Sequence, residues 1–196
     1  MKKKARLSVN IPTIEEVENE KKRLRHRANY RKTLRGTIAV LLVVAAVSVL
    51  VATLWMPVLQ IYGKSMNPTL ENGQIVVSVK TNDLKTGEVV AFWQGNKLLV
   101  KRVIAGPGQW VDISADGTVS VDGEELTEDY LDEKSLGHCD IELPHQVEES
   151  HWFLMGDNRE ASGDSRTETI GDISKDQIEG KIVFRIWPIN KFGSIQ

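Results

Sequence analysis

From Gly36 through Leu59 the chain reads GTIAVLLVVAAVSVLVATLWMPVL, without a single charged residue. A helix needs roughly 20 apolar residues to cross a bilayer core. The run therefore predicts one transmembrane anchor over 36–59, with Trp55 placed as an interfacial aromatic. No polar face interrupts it, which argues against a helix buried in a soluble core. A cleaved signal peptide is a poor match too, because its apolar region spans only about 7–15 residues and its basic lead is short. The chain thus divides into a segment 1–35, the anchor, and a body 60–196.

The flanks set the direction. Residues 1–35 carry twelve Lys/Arg against four Glu, a balance of +8, while the rest carries thirteen against twenty-three Asp/Glu, a balance of −10. Eight of those cations, from Lys21 to Arg35, crowd the start of the anchor, and only Lys64 lies near its other end. The positive-inside rule predicts a single-pass cell-membrane protein with a cytoplasmic N-terminus and an extracytoplasmic body. The basic arm would face the anionic surface of the lipid bilayer. After Pro12, Thr13 and Glu16 fit a capping box, so the arm is expected to be partly helical, a solvated charged helix that sets topology.

Beyond Ile61 the period shortens to that of strands. Gln74–Lys80, Glu88–Gln94, Lys97–Ala105, Trp110–Ile113, Thr118–Val121, His151–Met155 and Lys181–Trp187 are rich in β-branched and aromatic residues. Asn72-Gly73, Gly95-Asn96, Asp116-Gly117 and Asp122-Gly123 separate them as turns. The expected fold is mostly β, an antiparallel sheet domain behind one N-terminal transmembrane helix. The stretch 122–149 holds eleven acidic residues and one Lys, and reads as an exposed, loosely packed insertion. Its His138, Cys139 and His145 follow no standard zinc spacing, so no metal is expected. Cys139 is the one cysteine, so no internal disulfide forms, and its acidic surroundings disfavour a reactive thiolate.

Motifs for several chemistries are missing: there is no HExxH, no GxSxG and no Gly-rich phosphate loop. Of the histidines, His26 lies in the basic arm, His138 and His145 in the insertion, and His151 at a strand start, so nothing supports a Ser-His-Asp triad. A serine–lysine arrangement remains. Lys101 sits inside the apolar strand KLLVKRVIA. It either snorkels from an edge to water or is buried with a lowered pKa, which would leave a neutral amine able to act as a base. Ser65 follows the anchor in GKSMNPTL, where Gly63 permits close backbone approach and Pro68 restricts Asn67. Taken alone, this segment reads as a polar loop after a membrane span. The third segment, GDNREASGDSR from Gly156 to Arg166, has many orienting groups but not the spacing of an EF-hand.

Together and in this order, SMNPTL, GQIVVSV, LVKRVIAGPGQ and GDNREASGDSR resemble the sequence boxes of bacterial type I signal peptidases, across roughly Ile61 to Trp187. The resemblance implies a membrane-bound serine endopeptidase that removes signal peptides from exported preproteins, without metal or other cofactor. It implies Ser65 as nucleophile, Lys101 as general base and Ser162 as the hydroxyl that positions the lysine amine. Asp164 and Arg166 would form a supporting ion pair, and Asp157 and Arg159 would brace the same loop. The Ser65 N–H would be one oxyanion donor. Some members carry a serine two residues before the nucleophile as a second donor, and Gly63 stands there instead. Gln74 and Gln109 replace an aspartate common in the family, at positions that read as structural turns.

Two alternatives belong to other classes. A non-catalytic relative could scaffold the assembly of surface structures, yet it would not need Ser65, Lys101 and Ser162. A self-cleaving repressor would carry a DNA-binding module, whereas this chain has a membrane span, and no nucleic acid partner is expected.

Overall fold

The computed structural model describes residues 13–81 and 83–195. The first twelve residues of the basic segment, with the Pro12 that precedes the predicted cap, lie outside the described residues. The cap itself forms: the Glu16 N–H donates to Thr13 Oγ1, and the Thr13 N–H donates to Glu16 Oε2 at 2.9 Å. From it, helix α1 runs from Ile14 to Trp55, and none of its residues is buried. In the apolar stretch the hydroxyls of Thr37 and Ser48 donate to carbonyls one turn earlier, at 3.1 and 2.8 Å. These bonds satisfy them without water, as a hydrocarbon environment requires. Gly36 to Trp55 gives about 30 Å of helix at about 1.5 Å per residue, the thickness of a bilayer core. The helix nevertheless ends at Trp55, short of the end of the predicted span 36–59. Pro57 disfavours helical geometry at Met56, and Val58–Gln60 is already a strand.

The chain divides into two compact units at Val51/Ala52. In the second unit the strands are β1 (Val58–Gln60), β2 (Ile75–Val79), β3 (Val89–Gln94), β4 (Lys97–Ala105), β5 (Trp110–Ile113) and β6 (Val119–Val121). They continue with β7 (Glu124–Glu125), β8 (His145–Gln146), β9 (His151–Met155), β10 (Ile173–Ser174), β11 (Ile178–Trp187) and β12 (Gly193–Ser194). Every pairing is antiparallel. The larger sheet has the order β1-β2-β11-β3-β4-β9-β10, with β12 on β11, and the smaller the order β7-β6-β5-β8. At the β6–β7 turn, Asp122 and Gly123 take φ of 55° and 84°, the paired left-handed geometry that a two-residue hairpin demands.

Both faces of the larger sheet are covered. On β3, Val89 and Ala91 pack with Ile61, Met66 and Leu70, while Val90 and Phe92 pack with Val103, Leu154 and Ile173. A third cluster joins Ile104, Phe153 and Met155 to Val111, Ile113 and Val119 of the smaller sheet. Leu126, Leu136, Ile141 and Leu143 pack against this cluster as well. The acidic stretch 122–149 is therefore not a loose appendage. Its apolar residues come at irregular intervals, so neither strand nor helix periodicity announces them, yet turns bring them to one core.

Candidate active site

Ser65 stands in the loop between β1 and β2. Gly63 enters that loop with φ of 91°, and its N–H donates to Asn72 Oδ1 at 3.0 Å. Met66 and Leu70, both buried, peg the loop into the core on one side of the larger sheet. The Asn67–Pro68 peptide between them is cis. The Ser65 carbonyl accepts the Asn158 N–H at 3.0 Å, which fastens the first predicted box to the last.

Lys101 lies at the centre of β4, opposite Val90 of β3, and is only 3% exposed. Its amine donates to Ser65 Oγ at 2.8 Å. Burial holds its pKa below the ordinary 10.5. The carboxylates of Asp164 and Asp157 oppose that shift, and the Arg166 charge adds to it. A neutral amine at this contact can accept the Ser65 hydroxyl proton instead of donating one. The snorkelling alternative is excluded by the lysine's burial.

The loop Gly156–Arg166 follows β9. Asp164 and Arg166 form the expected pair, Nε to Oδ1 at 2.8 Å and Nη2 to Oδ2 at 2.9 Å. Arg166 also donates to the carbonyls of Arg159 and Leu136, and Asp164 accepts the Gly156 N–H. Gly156 has no room for a side chain. A Cβ there would come within 2.2 Å of Ser162 Oγ and 2.5 Å of the Ser65 carbonyl oxygen.

Two expectations for this loop stand differently in the structure. Asp157 and Arg159 do not simply brace their own loop. Asp157 makes a two-pronged pair with Arg102 of β4, at 2.9 and 2.7 Å, and Arg159 pairs with Glu128 of the acidic segment. Ser162 is buried, but its Oγ has no hydrogen-bond partner among the described residues, so the bond to the Lys101 amine is not made. The hydroxyl packs over Gly156 instead, while the amine is engaged with Ser65. As for Gly63, it brings no hydroxyl, and its N–H is occupied by Asn72.

Sequence reasoning passed over Arg102, Glu128, Tyr130 and Asn158. For Arg102 a signal existed, a second cation in an apolar strand beside Lys101. Its guanidinium is fully buried, donates also to the Gly87 carbonyl and to Thr69 Oγ1, and lies 3.9 Å from the centre of the Tyr130 ring. Gln74 and Gln109 are structural as expected: Gln74 accepts from Arg185, and Gln109 accepts from the Gly106 N–H and donates to Asp122. His145 binds Asp172, His138 faces Asp140, and Cys139 Sγ is 4.0 Å from the Ile141 carbonyl oxygen. Trp93 and Trp110 are partly exposed, and Trp93 donates to Glu179.

Beside the dyad is a cavity of about 80 Å³ lined by Ile61, Tyr62, Met66, Leu98 and Val100. Strand β4 is paired with β3 over residues 97–102, but with β9 only from Arg102 onward. Among the described residues its first half thus presents one unpaired edge next to Lys101.

The family model described as signal peptidase, peptidase S26, matches residues 34–187. Over 152 residues the chain is 38% identical to a signal peptidase IB of Staphylococcus aureus (strain COL), covering 67% of this chain and 78% of that one. It is 33% identical over 177 residues to a signal peptidase I of Bacillus licheniformis, covering 83% of this chain and 94% of that one. A solved structure of a signal peptidase I from Enterococcus faecalis V583 aligns at 26% identity and a TM-score of 0.42, covering 50% of this chain and 96% of that chain.

Proposed function

The chain belongs to the signal peptidase family, peptidase S26, and from that premise we propose that Ser65 is its nucleophile and Lys101 its general base. It is a serine endopeptidase that removes signal peptides. The observation that carries the assignment is the 2.8 Å contact between Ser65 Oγ and a lysine amine buried in a strand.

The steps follow from that contact. The neutral amine takes the Ser65 proton as Oγ bonds to the scissile carbonyl carbon, and the carbonyl π pair moves to its oxygen. The Ser65 N–H is the oxyanion donor in this reading; losing one such donor typically costs about 10²–10³-fold in rate. The intermediate collapses, the C–N bond breaks, and the Lys101 ammonium returns its proton to the leaving amine. Lys101 then takes a proton from water as the water oxygen bonds to the acyl carbon; when the acyl–Oγ bond breaks, Lys101 returns that proton to Ser65 Oγ, which restores both groups. The unpaired edge of β4 suits an extended cleavage segment added as a strand, and the small cavity suits small side chains.

Helix α1 is long and apolar enough for single-pass anchoring. The topology in this reading has a cytoplasmic N-terminus and an extracytoplasmic catalytic body, supported by the cations that precede the anchor. Anchoring confines enzyme and preprotein to one interface and raises their effective concentration. A scaffold would have no use for a lysine buried against a serine.

The test is cleavage of a preprotein by the full chain in detergent, beside Ser65→Ala. Cleavage by the parent alone supports the assignment, and equal cleavage by both defeats it. For topology, protease added to intact cells should digest the body, whereas a shielded body contradicts the orientation.

A further inference from the structure

Eleven acidic residues lie between positions 122 and 149, and Glu128 alone among them is buried. Ten exposed carboxylates are a solvated surface. One whose side chain is wholly out of water needs a reason, because a buried charge is retained only with partners. Glu128 has three bonds: both terminal nitrogens of Arg159 and the Tyr130 hydroxyl at 2.7 Å. Burial and the Glu128 charge push the Tyr130 phenol up, so it stays protonated and remains a donor. The same tyrosine lays its ring on the Arg102 guanidinium.

The two arginines held in this way are placed next to the reacting groups. Arg102 directly follows Lys101, and Arg159 directly follows Asn158, whose N–H fastens the Ser65 carbonyl. Arg159 Nε also donates, at 3.2 Å, to the carbonyl of Gly156, the residue on which the Ser65 carbonyl and Ser162 Oγ both pack. With Asp157 on Arg102 and Glu128 on Arg159, two buried cations meet two buried anions. Removing Glu128 leaves Arg159 charged and unpaired behind the nucleophile.

We propose that Glu128 and Tyr130, supplied by the acidic segment, are positioning residues that clamp Arg159 and Arg102 and so hold Ser65 and Lys101 in register. This role rests on reading Ser65 and Lys101 as the dyad. The clamp touches neither the cavity nor the free edge of β4, so its loss strikes the chemical step and not substrate binding. A reacting atom displaced by about 1 Å can lose about 10² in rate.

The experiment compares kcat and KM for preprotein cleavage by the full chain in detergent, with the folded fraction of each variant measured by thermal unfolding. The variants are Glu128→Gln, Tyr130→Phe, Ser65→Ala and Glu125→Gln. The last breaks an exposed pair with Lys134 in the same segment and is expected to keep the parental kcat. Folded Glu128→Gln should lose about 10²-fold in kcat with KM nearly unchanged. Tyr130→Phe keeps the ring over Arg102 but loses the bond to Glu128, and should show a smaller loss of the same kind. A folded Glu128→Gln with parental kcat overturns the clamp, as does a kcat loss matched by Glu125→Gln. Should Glu128→Gln not fold, Tyr130→Phe decides: a selective kcat loss supports the clamp and a parental kcat overturns it. Cleavage surviving in Ser65→Ala would instead overturn the dyad.

Discussion

The carbonyl of Ser65 is held by the N–H of Asn158, 3.0 Å away, and so the nucleophile is joined to a polar loop more than ninety residues later, as one piece. Gly156 is the contact point of that piece, and Lys101 reaches Ser65 from the neighbouring strand.

Gly156→Ala forces a methyl against the Ser65 carbonyl and the Ser162 hydroxyl. One of the two must move. We predict a kcat loss of about 10²-fold with KM retained, measured on folded protein. Parental kcat would show that Ser65 tolerates the shift.

Asp157→Ala strands the buried Arg102 charge. Breaking a buried pair from one side costs about 3–5 kcal/mol. An exposed pair such as Lys134–Glu125 is worth about 0–1 kcal/mol. Urea unfolding of Asp157→Ala and Lys134→Ala should reproduce that contrast. Equal losses would contradict a dominant role for the buried pair in stability.

Lys101 sets a pH dependence of definite sign. Its folded pKa is lowered by burial. Below that value both the folded and the unfolded chain hold the proton. Between it and 10.5 only the unfolded chain does, so stability rises with pH across that window. Activity rises through the same folded pKa as the amine becomes neutral. The acid limb of kcat/KM should therefore fall below the ordinary lysine range, and Lys101→Met should lose the stability rise. An acid limb near 10.5 would contradict a buried base.

Ser162→Ala removes a buried hydroxyl that has no hydrogen-bond partner among the described residues. Stability should stay level or rise slightly, because no hydrogen bond is lost. We propose that this hydroxyl takes up the Lys101 amine only once the amine leaves Ser65 during the reaction, so kcat should fall while the unfolding temperature does not. An unchanged kcat would leave Ser162 without a role in positioning the amine.

Strands β4, β5 and β9 have the bounds read from the sequence, because alternation and glycine turns are local properties of the chain. The apolar helix was legible too, and it stops short of Leu59 only because Pro57 ends it. The partners of Asp157 and Arg159 were not legible. These residues stand two apart, yet their partners lie 55 and 31 residues away, on β4 and in the acidic segment. No periodicity records a pairing of that kind. Glu128 looks like its ten acidic neighbours until the fold removes it alone from water.

The central claim is that Lys101 takes the proton of Ser65. Its most direct test is single-turnover cleavage of a preprotein by folded Lys101→Met and Ser65→Ala beside the parent. Each variant should lose at least about 10⁴-fold in rate, and by similar amounts, because the two side chains act as one unit. A Lys101→Met enzyme that cleaves at close to the parental rate would contradict the claim.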